Sequence, residues 1–122
     1  MLNHAPILIV EDEPFIALAL QMAIEDAGGD VVGPVGTVGD ALTLLQTSSV
    51  AAAVLDVALG DRDVTPVTEA LTARGVPMVF QSARSLPRNL RLRCPDAIFY
   101  KKPASLDALL QTVLEMTQRQ AQ

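Results

Sequence analysis

The sequence predicts an α/β fold, a doubly wound sandwich of five β-α units around a parallel five-stranded sheet. Two patterns carry this expectation. Five short apolar runs alternate with segments of helical period, the order that βαβ units produce. Several of those runs are continuous rather than alternating, as strands covered on both faces are. Half of the residues are hydrophobic and only 3% are aromatic, so the core has to be aliphatic.

The first run is Ile7 to Val10. A helical segment follows, with Phe15, Leu18, Ala19, Met22 and Ala23 at i, i+3, i+4 and i+7 spacing as its expected core stripe. Gly28-Gly29 stops it. Asp30 to Val35 and Val50 to Leu55 are the second and third strands, and Gly75 ends the third helix before a fourth strand over Pro77 to Phe80. The fourth helix is the weakest element. Pro87 interrupts it, Pro95 bounds it, and it holds Arg84, Arg88, Arg91 and Arg93, four of the nine Lys and Arg residues. A short or irregular, mobile helix is expected there, with an acidic partner as one reading of its charge. Ala97 to Tyr100 is the fifth strand. Ser105 caps a last helix striped by Leu106, Leu109, Leu110, Val113 and Leu114, whose polar end, 117–122, frays. No linker or repeat divides residues 1–122, so one domain is expected.

A net charge of −5 repels a phosphate backbone, which argues against direct nucleic-acid binding. No apolar stretch approaches the ~20 residues needed to span a bilayer, and the N-terminus lacks a signal-peptide pattern. The lone Cys94 forms no internal disulfide. A cytoplasmic protein is expected.

Open α/β sheets bind ligands beyond the carboxyl ends of their strands. Glu11-Asp12-Glu13 follow the first strand, Asp56 ends the third, Ser82 follows the fourth and Lys102-Pro103 the fifth. Packed carboxylates need a cation, and oxygen ligands suit a hard divalent ion, Mg²⁺ above all in a cytoplasm. A metal beside a carboxylate prepares it for phosphoryl transfer. Lys102 can pair first with that carboxylate and then with the phosphoryl group, to which Ser82 can donate only once it exists. Glu13 reads as a helix-start charge favourable to the dipole.

Four fragments in this order are similar to the receiver domain of two-component response regulators: Ile7-Leu-Ile-Val-Glu-Asp-Glu-Pro14, Ala53-Val-Leu-Asp-Val57, Val79-Phe-Gln-Ser-Ala83 and Tyr100-Lys-Lys-Pro103. The resemblance covers about Ala5 to Gln118. It implies a flavodoxin-like strand order 2-1-3-4-5, Asp56 as phosphoacceptor, and Glu11 with Asp12 as the metal-binding acids beside Asp56 and the Ala58 carbonyl. It further implies Ser82 as the switch hydroxyl, Lys102 rather than Lys101 as the site lysine, a cis Lys102–Pro103 bond, and Phe99 as the switch aromatic, with Tyr100 a rival for that role. The implied partners are a histidine kinase or histidine phosphotransferase and an unidentified downstream protein, with the chain a monomer or weak dimer.

The loop Val57-Ala-Leu-Gly-Asp-Arg-Asp-Val64 resembles that of a stand-alone, alphaproteobacterial receiver subgroup, although Phe80-Gln-Ser-Ala-Arg84 departs from that subgroup's pattern. Arg84, two residues past Ser82, is expected to modulate the phosphoryl lifetime. Ile16, Leu20 and Ile24 lie off the expected stripe of the first helix and are expected to form a docking patch. No output domain is expected after Gln122, and output is expected by protein contact. The alternatives are a phosphate sink or shuttle, a receiver cut from a longer regulator or hybrid kinase, and a scaffold that is never phosphorylated. A Mg²⁺-dependent hydrolase of similar topology would place a second acid two residues past its nucleophile, where this chain has Ala58.

Overall fold

The structure, a computed structural model, describes residues 1–59 and 63–120. The expected reading of the 57–64 loop at residues 60–62, and of the tail at 121–122, lies outside these. In chain order the elements are β1 (Pro6–Val10), α1 (Pro14–Asp26), β2 (Asp30–Val35), α2 (Val38–Thr47), β3 (Ala52–Asp56), α3 (Thr65–Ala73), β4 (Met78–Ser82), α4 (Arg88–Arg93), β5 (Ile98–Lys101) and α5 (Leu106–Gln120). All strands pair in parallel in the order β2-β1-β3-β4-β5.

The flavodoxin-like doubly wound fold is therefore present. Every residue of β3 and β4 is buried, as strands covered on both faces must be. Strands β3 to β5 run one or two residues later than the apolar runs suggested, because Asp56, Gln81, Ser82 and Lys101 continue the ladders after apolarity ends. Those added residues carry polar side chains to the edge of the sheet.

Alternation along the strands divides the core into two layers. One side packs Leu8, Val10, Ala53, Leu55 and Phe80 against α2, α3 and α4. The other packs Ile7, Ile9, Val54 and Val79 against α1 and α5. Gly28, at φ +87°, closes α1 in the left-handed region where glycine carries no Cβ penalty. The N–H of Gly29 donates to the Ile24 carbonyl at 2.9 Å and that of Gly28 to the Glu25 carbonyl at 3.0 Å, a Schellman arrangement. At the start of α5, Ser105 Oγ accepts the Ala108 N–H at 3.2 Å, the expected cap.

Two expectations are corrected here. The buried face of α1 is Ala17, Leu20 and Ile24, whereas Phe15, Leu18 and Met22 are 87%, 51% and 55% exposed. Leu20 and Ile24 are core residues and Ile16 packs half-buried beside them, so these three form no docking patch. The helix is apolar almost all round, and small Ala17 and Ala27 let it settle on this face between the sheet and the tucked-in Leu2. Second, Pro87 begins α4 rather than interrupting it. Proline lacks an N–H, which the first turn does not need, and its carbonyl accepts the N–H groups of Leu90 and Arg91, both at 3.1 Å. The helix is short, as expected, at six residues.

Candidate functional site

The parallel sheet brings the ends of β1, β3, β4 and β5 together. Glu11 follows β1, Asp56 is the last residue of β3, Ser82 the last of β4, and Lys102 follows β5. Glu11 and Asp56 are each only 3% exposed while Asp12 is exposed. One carboxylate oxygen from each of the three lies within 4.8 Å of the others. An all-oxygen donor set of this spacing, two acids buried and one open to solvent, fits a hard divalent cation.

Lys102 is the cation that the protein itself supplies. Its Nζ lies 2.8 Å from Glu11 Oε1, 3.0 Å from Asp56 Oδ2 and 3.5 Å from Glu13 Oε1. Glu13, read from sequence as a helix-start charge, thus also joins the rim of the site. The other oxygen of Asp56, Oδ1, accepts the Ala58 N–H at 3.0 Å, so Asp56 is held at both oxygens. Burial pushes Glu11 upward to about 7, against the pull of the Lys102 ammonium, while neighbouring Asp56 adds to the rise. Burial lowers Lys102, but its hydrogen bonds to Glu11 and Asp56 outweigh that and hold it above the ordinary lysine value.

Ser82 is buried, and its Oγ accepts the Arg84 N–H at 3.2 Å. The hydroxyl is thereby fixed in place as an acceptor and keeps its proton for donation. The Arg84 side chain is exposed. The Lys102 N–H donates to the Ser82 carbonyl at 2.7 Å, and the Lys102–Pro103 bond is cis.

The two aromatic residues of β5 separate cleanly. Phe99 packs on the side of α2 to α4 and Tyr100 on the side of α1 and α5. The Tyr100 hydroxyl hydrogen-bonds Thr112 Oγ1 of α5 at 2.8 Å. Tyr100 is tied; Phe99, half-buried, has no such tether.

Sequence reasoning missed Gln81. Only 2% exposed, its amide Nε2 donates to Glu11 Oε1 at 3.1 Å. The available signal was a glutamine at the end of an otherwise apolar buried strand, because a buried amide needs a partner.

No protein-family profile and no curated protein matches the chain. Solved structures do. SdrG from Sphingomonas melonis is 37% identical over 97% of this chain and 99% of that chain, with a TM-score of 0.78. A response regulator receiver domain protein from Methanospirillum hungatei aligns at TM-score 0.85 and 24% identity, over 96% of each chain. A receiver protein from Sinorhizobium medicae aligns at 0.81 and 22%, over 97% and 98%. The chain belongs to the response-regulator receiver family. The likeness to SdrG supports the alphaproteobacterial receiver type. Receiver domains typically bind Mg²⁺ at an acidic pocket, and the cluster of Glu11, Asp12 and Asp56 could hold a metal. Among the described residues no helix is long and apolar enough to cross a membrane.

Proposed function

We propose that this receiver, acting in the cytoplasm as one domain, accepts a phosphoryl group on Asp56 from the phosphohistidine of a histidine kinase or histidine phosphotransferase. The observation that carries this reading is the meeting of buried Asp56 with Lys102 at 3.0 Å and with two further carboxylates within 4.8 Å. An Asp56 oxygen attacks phosphorus, the P–N bond breaks, and the imidazole keeps the electron pair. Lys102, already shared between Asp56 and Glu11, neutralises charge on the transferring oxygens. Ser82 then donates its proton to a phosphoryl oxygen, a contact available only in the modified state, which is what biases one conformation over another. Phe99 is the aromatic free to follow that change, since Tyr100 is anchored to α5.

Glu11, Asp12, Asp56 and the Ala58 carbonyl would hold Mg²⁺, which when bound offsets negative charge on the phosphoryl oxygens. Arg84 stands at the rim, its backbone N–H on Ser82, and its guanidinium sets the lifetime of the acyl phosphate by controlling access of water. The donor docks on the exposed Phe15, Leu18 and Met22 face of α1, which begins directly after the acidic residues and packs beside α5. Output passes by contact with a downstream protein, and Ala58 leaves no general acid for turnover as a hydrolase.

Incubation with acetyl phosphate and Mg²⁺, followed by intact-mass measurement, tests the reading. The wild type gains one phosphoryl group and Asp56→Asn gains none. A wild type that stays unmodified under acetyl phosphate, and shows no Asp56-dependent response to beryllofluoride, sinks it.

A further inference from the structure

A buried primary amide is an expensive resident of a strand core unless its hydrogen bonds are made. Gln81 lies in the ladder beside Asp56 on β3 and Tyr100 on β5. Its amide donates to Glu11 Oε1 at 3.1 Å, the oxygen that also takes Lys102 Nζ at 2.8 Å. The other oxygen of Glu11, Oε2, accepts the Glu13 N–H at 3.2 Å. A carboxylate oxygen has two lone-pair sites. Oε1 is therefore fully engaged, and a further ligand of Glu11 has to approach at Oε2.

We infer that Gln81 is a positioning residue that pins Glu11, holding Oε1 on the lysine side and presenting Oε2 to the divalent cation. The inference rests on the metal reading of the site given above. It also assigns the amide a second task. Lys102 is shared with Asp56, and when the ammonium turns toward a phosphoryl group, Gln81 remains as the donor that keeps Glu11 in place.

Gln81→Met keeps length and volume while removing the donor. Mg²⁺ titration of the metal-free protein by calorimetry should give a dissociation constant about tenfold weaker than wild type, the usual size of effect for a partner of a metal-binding carboxylate. In a Glu11→Leu background the same substitution should change the constant by less than about twofold, because the carboxylate it acts through is gone. Without metal, NMR should find the Gln81 side-chain amide protons of the wild type slow to exchange with water and fast in Glu11→Leu. Should Gln81→Met not fold, Gln81→Asn, one methylene too short to reach, takes its place with the same expected weakening. A folded variant with the wild-type constant overturns the inference, and so does equal weakening with and without the Glu11 carboxylate. A wild type that binds no Mg²⁺ removes the metal reading itself and this inference with it, whereas normal wild-type binding with an unaffected variant removes Gln81 alone.

Discussion

Replacing Lys102 with methionine removes the charge and keeps most of the packing. In the folded protein the Glu11 and Asp56 side chains are 0% and 4% exposed, and the ammonium lies 2.8 and 3.0 Å from their oxygens. Lys102→Met leaves two buried carboxylates facing each other with no counter-charge. Removing one partner of a buried ion pair costs about 3 to 5 kcal/mol, which for a chain of this size lowers Tm by roughly 10 to 20 °C. The pH dependence identifies the cause. Without the lysine, whose ammonium pulls Glu11 downward, Glu11 holds its proton still more tightly in the folded state than in the unfolded one. The folded state then carries the excess protons, so stability falls as pH rises from near the ordinary carboxylate range to above 7. Thermal melts of wild type and variant at pH 8 and pH 5 should show the larger deficit at pH 8, where Glu11 of the wild type is ionised, and a much smaller one at pH 5. A deficit below about 1 kcal/mol at pH 8, within the range of exposed pairs, or an equal deficit at both pH values, would refute the reasoning.

Glu11→Gln should flatten the wild-type stability profile. Burial raises Glu11 from 4.5 to about 7, so its ionisation costs the folded state up to about 3 kcal/mol between those values; denaturant titrations in which the wild-type slope persists in the variant refute this. On α1, Leu20→Ala and Ile24→Ala should each lose about 2 to 5 kcal/mol by opening the core, while Leu18→Ala and Met22→Ala should lose under ~0.5 kcal/mol in the same melts. Tyr100→Phe should cost about 1 to 2 kcal/mol, because the buried Thr112 hydroxyl loses its partner; a neutral result would mean that Thr112 turns to another acceptor.

The fold was legible because parallel topology writes itself into continuous apolar runs separated by helical spacing, and the strand order followed from the resemblance that those strand-end motifs carry. The acidic pair, Asp56, Ser82 and Lys102 were visible for the same reason: each ends or follows a strand, and all strands point the same way. The facing of α1 was not legible. Phe15, Ile16, Leu18, Leu20, Met22 and Ile24 supply apolar spacing on two sides of the helix, and the choice between them is made by the neighbouring sheet and by Leu2 rather than by period. Gln81 was hidden for a different reason. Its partner is 70 residues away in sequence, so a glutamine ending an apolar strand signals a buried amide but does not say which group it meets. Pro87 was read as a breaker because its missing N–H disqualifies it from a helix interior, though the same property suits a helix start.

The sheet separates two layers, with α1 and α5 on one side and α2, α3 and α4 on the other. Phe99 faces the second layer and Tyr100 is fastened to the first. A donor seated on Phe15, Leu18 and Met22 therefore leaves the arginines of α4 and the exposed Leu92 uncovered. Under the proposed function, loading and reading then fall on opposite faces of the sheet, so a listener need not wait for the donor to depart. The same proposal allows a ternary complex, in which the time spent bound to the donor does not subtract from the time available for signalling.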